Sequence, residues 1–165
     1  MVPICIAIGA NLGDAERTIS AAVELLRGQF SSLQSSSIYA SEPMYFTDQP
    51  SFMNAVCVAE TDLSPLEAWR RLRQLELELG RTETFFMGPR EIDLDLIAYG
   101  SLRYVFAFED RSELIVPHPR ATERRFVLEP VAEIDPRFVL PGCGVISDLL
   151  LNLTDPPIRL HTHAV

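Results

Sequence analysis

Ile92-Asp93-Leu94-Asp95-Leu96-Ile97-Ala98-Tyr99 reads as a β-strand, and the rest of the 165-residue chain can be ordered around that reading. Side chains alternate across a strand, so Asp93 and Asp95 share one face, with Cα atoms about 6.5–7 Å apart. Ile92, Leu94 and Leu96 then turn to the opposite face, where they can enter a core. Upstream, Ser64-Pro65-Leu66-Glu67 signals a helix start: Ser64 as N-cap, proline at the first helical position, and Glu67 closing a capping box. Leu66, Trp69, Leu72, Leu75 and Leu79 supply its buried stripe, and Gly80 ends it.

Farther back, residues 2–8 form an apolar strand, Asp14 caps a helix bearing Ile19, Ala22, Val23, Leu26 and Phe30, and residues 34–39 and 52–60 read as strands. The order β-α-β-β-α-β predicts an α+β fold, a ferredoxin-like βαββαβ antiparallel sheet with helices on one face. Residues 104–108 and 147–153 are expected to add an extra C-terminal strand and helix. Residues 1–155 read as a single domain and 156–165 as a polar C-terminal tail. His161 and His163 fall in that tail, which is expected to be disordered rather than metal-binding.

All 14 basic residues are arginine, and they face 23 acids for a net charge of −9. Without lysine there is no P-loop and no Schiff-base chemistry. The acidic balance argues against a nucleic-acid face, so any anionic ligand must be held by arginines gathered locally. Cys5, Cys57 and Cys143 have no metal-like spacing, and the first two read as small core residues. No signal segment or membrane-spanning run is evident, which predicts a cytoplasmic protein.

The Asp93–Asp95 pair can hold two Mg²⁺ ions for phosphoryl transfer; taken alone, it is equally well an exposed strand face with two solvated acids. Its surroundings favour the metal. Gly88-Pro89-Arg90 precedes the acids, Arg81 follows a helix end, and Pro117-His118-Pro119-Arg120 and Glu123-Arg124-Arg125-Phe126 lie downstream. Carboxylates for metal with arginine forks for phosphate suggest a nucleoside triphosphate site. Arg17, Arg27, Arg70, Arg71 and Arg73 read instead as solvated helix charges. Gly9-Ala10-Asn11-Leu12-Gly13-Asp14 lacks the dinucleotide pattern and reads as a turn in which Asn11 bridges backbone groups.

Together these segments resemble the 6-hydroxymethyl-7,8-dihydropterin pyrophosphokinase family of folate biosynthesis. The resemblance rests on Ile8-Gly9-Ala10-Asn11-Leu12-Gly13-Asp14, Asp48-Gln49-Pro50-Ser51-Phe52-Met53-Asn54-Ala55-Val56, Leu63-Ser64-Pro65 and Leu79-Gly80-Arg81. It continues in Gly88-Pro89-Arg90-Glu91-Ile92-Asp93-Leu94-Asp95, Pro117-His118-Pro119-Arg120 and Arg124-Arg125-Phe126-Val127-Leu128, all in family order. It implies diphosphate transfer from ATP, the co-substrate, to the hydroxymethyl group of the reduced pterin, giving AMP. Asp93 and Asp95 are then catalytic and hold two Mg²⁺; Arg81 and Arg90 are catalytic phosphate clamps; His118 and Arg124 lie on the ATP side. The pterin is implied to meet Asn54, to be sandwiched by Phe52 and Phe126, and to bind backbone groups of Ser41, Glu42 and Met44. The partners implied are these small molecules alone, with no nucleic acid or membrane and a monomeric state.

The departures gather in one loop. Glu83 stands where the family usually places arginine, and Phe86-Met87 where Arg-Trp is usual. With Arg81, Arg90, Asp93 and Asp95 retained, the expectation is an active enzyme with weakened ATP affinity or altered loop closure. The alternative is a catalytically silent homologue that binds pterin or nucleotide.

Overall fold

Val2–Ala10 (β1) is apolar on both of its faces, and this places it inside the sheet rather than at an edge. Ile4, Ile6 and Ile8 point to one side and Cys5 to the other, all essentially without solvent contact. The structure is a computed structural model and describes residues 1–43, 48–82 and 89–163. On one flank β1 pairs antiparallel with Phe52–Thr61 (β4), from Val2 opposite Thr61 to Ala10 opposite Met53. On the other flank it pairs antiparallel with Asp93–Tyr99 (β5), where Gly9 faces Asp93 and Ala7 faces Asp95.

Beyond β4 lie Ser31–Ser35 (β2) and Ile38–Ser41 (β3). They occupy the place of the single strand expected over 34–39. The break is a bulge at Ser36-Ser37: Ser35 opposes Cys57 but Tyr39 opposes Asn54, so one extra residue is taken up between them. Local bonds hold it. The Ser36 hydroxyl accepts the Val56 N–H at 2.9 Å, and the Glu133 carboxylate accepts from both the Ser37 N–H and its hydroxyl.

Two helices cover one face. Ala15–Arg27 (α1) is capped by Asp14, whose carboxylate accepts the Arg17 N–H, and it buries Ile19, Ala22, Val23 and Leu26. Pro65–Glu78 (α2) has the full Ser64/Glu67 capping box. Phe30, counted with the first helical stripe, lies beyond its last turn yet is buried. The opposite face, bearing Cys5, Val56, Ile97 and Ala98, is covered by Arg125–Ile134 (α3) and Ile146–Leu151 (α4). Helices therefore lie on both faces: the βαββαβ unit has its pair on one, and the C-terminal additions fill the other. A ribbon of Tyr104–Ala107 (β6) and Glu113–Val116 (β7) and a smaller one of Val139–Leu140 (β8) and Gly144–Val145 (β9) complete the C-terminal half.

The expectation of a disordered tail is corrected. Arg159–Thr162 (β10) pairs antiparallel with β3, giving the order β10-β3-β4-β1-β5, with β2 also on β4. His161 and Thr162 both bond to Glu16 at the start of α1, at 2.9 and 3.0 Å, and Asp155 accepts the Arg125 N–H that opens α3. A polar segment has few apolar contacts to announce a strand, but here main-chain pairing and side-chain bonds supply what periodicity does not show.

Candidate active site

Strand alternation delivers Asp93 and Asp95 to the face away from α1 and α2, while Leu94 and Leu96 enter the core beneath them. The two carboxylates live in different surroundings. Asp93 accepts from Arg81 at 2.8 Å on one oxygen and from Arg90 at 2.6 Å on the other. Burial opposes its charge, but Arg90, Arg81 and Arg73 outweigh that and hold the carboxyl below its usual range. Among the described residues, the cationic side chains nearest Asp95 are more distant: Arg73 at 3.8 Å, Arg124 at 3.9 Å and His118 at 4.0 Å. Burial, with Asp93 beside it, pushes Asp95 up to about 6.

Arg81 is aimed by the end of α2. Gly80 adopts φ +88°, a left-handed turn that suits glycine, and the Arg81 N–H returns to the Glu76 carbonyl at 3.0 Å. Its side chain then meets the Glu76 carboxylate at 2.5 Å as well as Asp93. Glu76 is 2% exposed, and burial raises it to about 7 despite its arginine partners. Sequence reading passed over this glutamate. The available signal was its place on the core stripe of α2, with Ala68, Leu72 and Leu75. Arg73, read as a solvated charge, is a second correction: it reaches inward to Glu76, Asp93 and Asp95.

His118 donates its backbone N–H to the Ile97 carbonyl, and its Nδ1 accepts the Arg120 N–H at 3.2 Å. With Nδ1 an acceptor, Nε2 carries the proton and faces Asp95. Burial, with Arg124 adding repulsion, lowers this imidazole to about 4, so it is neutral at pH 7.

These groups sit at one end of an open cleft, with Arg90, Asp93, Asp95 and Arg124 in its wall. The lining also includes Ser41 at the end of β3 with Glu42 beyond it, Gln49 ahead of β4, Phe52 and Asn54 on β4, and Phe126 in the first turn of α3. Asn54 is buried and donates to the Ser41 hydroxyl at 2.8 Å, and the Arg124 guanidinium lies 5.5 Å from the Phe126 ring centre. Of the expected site residues that the structure describes, the cleft brings together all except Arg81 and His118, which adjoin it through Asp93 and Asp95. Met44, like Glu83, Phe86 and Met87, lies outside the described residues.

The model of the 7,8-dihydro-6-hydroxymethylpterin-pyrophosphokinase (HPPK) family matches residues 5–136. The chain belongs to this family. It is 34% identical to the Haemophilus influenzae 2-amino-4-hydroxy-6-hydroxymethyldihydropteridine pyrophosphokinase, over 94% of this chain and 95% of that protein. The Bacillus subtilis protein of the same name is 40% identical over 78% of this chain and 75% of its own length. The Pneumocystis carinii folic acid synthesis protein fol1 is 42% identical over 94% of this chain. The chain spans only about a fifth to a quarter of the length of that protein and of its slime-mould, fission-yeast and pea counterparts. In fold, it superposes on wild-type Plasmodium falciparum HPPK-DHPS with a TM-score of 0.73 at 13% identity, covering 90% of this chain and 44% of that one. HPPK membership thus fits a cleft with acids and arginines at one end and aromatic and amide groups at the other.

Proposed function

We propose that the chain transfers diphosphate from ATP to 6-hydroxymethyl-7,8-dihydropterin, releasing AMP, as a step of tetrahydrofolate biosynthesis. The observation that carries this reading is the shared cleft. Asp93, Asp95, Arg90 and Arg124 form one end, suited to a triphosphate, and Phe52, Asn54 and Phe126 form the other, suited to a flat heteroaromatic amide. Phe52 and Phe126 stack on the pterin, Asn54 reads its amide edge, and Ser41, Glu42 and Met44 complete the recognition.

Two Mg²⁺ ions fit the Asp93–Asp95 pair. The donors are hard carboxylate oxygens, and among the described residues the ion-pair partners of Asp95 lie no nearer than 3.8 Å. Among the described residues no cluster of three or more ligating side chains exists, so Asp93 and Asp95 would hold the metal with further ligands drawn from substrate and water. When bound, Mg²⁺ there neutralises charge developing around the β-phosphorus and lowers the pKa of the attacking hydroxyl. Arg81 and Arg90, now bonded to Asp93, exchange that carboxylate for phosphate oxygens as ATP enters. Neutral His118 and Arg124 orient the triphosphate, so that the pterin oxygen meets the β-phosphorus in line with the bond to AMP.

The reading carries with it a cytoplasmic monomer acting on small molecules, without nucleic acid. Among the described residues no helix is long and apolar enough to cross a membrane. The test is AMP formation by the purified chain from ATP, Mg²⁺ and the dihydropterin, beside Asp95→Ala. AMP from the unmodified chain alone is expected; no AMP above the Asp95→Ala background would leave a silent binding protein.

A further inference from the structure

β5 lies at the edge of the sheet, and among the described strands it pairs with β1 alone. At Leu94, between the two carboxylates, α2 supplies what a neighbouring strand would. The Glu76 carboxylate accepts the Leu94 N–H at 2.6 Å, and the Arg73 guanidinium donates to the Leu94 carbonyl. Two side chains thereby satisfy the open edge of the residue that sets the spacing of Asp93 and Asp95.

Arg73 does more than close that edge. Its Nη1 lies 3.9 Å from Asp93 Oδ1, and its Nη2 lies 3.8 Å from Asp95 Oδ1 and 3.0 Å from Glu76 Oε1. Arg81 and Arg90 pair with Asp93, and Arg124 and His118 face Asp95, whereas Arg73 spans both. The Trp69 ring centre, 5.7 Å from its guanidinium carbon, holds it from beneath. Its Nε is buried with no hydrogen-bond partner among the described residues, so its Nη groups carry its polar contacts, to Leu94 and Glu76 at close range and to both aspartates just beyond. From there it lies beside two carboxylates on one strand face.

We propose that Arg73 is a positioning residue and the resident counter-cation of the Asp93–Asp95 pair, and that it sets how much divalent metal the site requires. The inference rests on the pyrophosphokinase reading for the identity of the metal. Two like charges this close on one face repel, and a guanidinium between them lowers that repulsion while the metal is away. An arriving divalent cation meets a positive charge that Leu94 and Trp69 keep from withdrawing fully, and its affinity is reduced accordingly. The residue favours the order of the empty site at the expense of metal affinity.

The full chain, Arg73→Gln and Arg73→Lys are compared by calorimetric titration of Mg²⁺ in the presence of α,β-methylene-ATP, which cannot be cleaved at the reacting bond. Thermal unfolding across the same Mg²⁺ series provides a second readout. Arg73→Gln is expected to unfold several degrees lower in chelator and to reach half-saturation at about three- to tenfold less Mg²⁺. Arg73→Lys, which keeps the charge, is expected to stay within about twofold of the unmodified chain. Arg73→Met, with an apolar stem on Trp69, carries the same expectation as Arg73→Gln should the latter not fold. Equal Mg²⁺ demand in the neutral variants and the unmodified chain, greater demand in the neutral variants, or Arg73→Lys behaving like them, overturns the role of Arg73 alone. An unmodified chain that takes up neither Mg²⁺ nor the analogue overturns the pyrophosphokinase reading itself.

Discussion

Asn11 and Arg90 hold each other twice: the Asn11 N–H donates to the Arg90 carbonyl at 3.2 Å, and Asn11 Oδ1 accepts the Arg90 N–H at 3.0 Å. The same side chain donates to Gln49 Oε1 and to the Pro50 carbonyl, at 2.9 and 3.1 Å. One buried amide just beyond β1 thus ties the approach to β4, at the aromatic end of the cleft, to the approach to β5, at its acid-and-arginine end. Asn11→Ala leaves the Arg90 N–H and the Pro50 carbonyl without this partner. The expected cost is about 1–3 kcal/mol of stability by urea unfolding. Because both ends of the cleft lose an anchor, KM is expected to rise for ATP and for the dihydropterin alike; a change confined to one substrate would contradict the shared-anchor account.

Asp95→Asn tests the metal role with little change of shape. The amide keeps the volume but removes half of the paired negative charge, and it cannot serve as a carboxylate ligand. AMP formation is expected to fall by roughly 10³-fold, several kcal/mol of transition-state stabilisation, with the fold and thermal midpoint preserved. Among the described residues, the charged partners of Asp95 stand 3.8–4.0 Å away, so the folded chain has little to lose by the change. Retained turnover at ordinary Mg²⁺ would remove Asp95 from the site.

Much of this was legible in the sequence, because the signals were local. Alternation around Leu94 put two acids on one face, and Ser64 with Glu67 marked the start of α2. What could not be read depended on partners distant in sequence. Pro130 sits inside α3 and hides a helix whose apolar face meets β4. Ser36 and Ser37 read as ordinary strand polars until Val56 and Glu133 are seen to hold a bulge there. Arg73 looks like any helix arginine, since its direction is set by Glu76 on its own helix and by β5, 20 residues on. The tail's strand depends on β3 and Glu16, which no local pattern predicts.

Glu83→Arg addresses the loop departure by charge alone. Replacing a carboxylate with a guanidinium moves two charge units toward what a triphosphate favours. The apparent KM for ATP is expected to fall severalfold, more at low ionic strength than at high. An unchanged or higher KM would show that this charge does not face the nucleotide.

Cys5 and Cys57 are buried, and burial pushes both thiols up, Cys57 to about 12, so neither offers a thiolate near neutral pH. Cys143 is exposed. Mass spectrometry after brief alkylation of the native protein is expected to find one modified thiol, and three after denaturation. Rapid native modification of Cys5 or Cys57 would mean that the sheet opens far more readily than its packing implies.

His118 contributes a pH dependence whose sign can be worked out. Its folded value of about 4 lies below the unfolded value of about 6.5, so between these limits the unfolded chain binds the extra proton. Its contribution is complete above pH 6.5 and is lost as pH falls toward 4. Asp95 at about 6 and Glu76 at about 7 act oppositely: raised carboxylates bind protons in the folded state first and favour it as pH falls. The total therefore hides the histidine, and only a paired comparison isolates it. Urea unfolding of the unmodified chain and His118→Asn at pH 7.5 and pH 4.5 is expected to show the advantage of the histidine shrinking by roughly 1–3 kcal/mol. A difference that stays constant across that window would mean that the folded imidazole takes up its second proton as readily as the unfolded one, and that the Arg120 N–H does not hold Nδ1 as an acceptor.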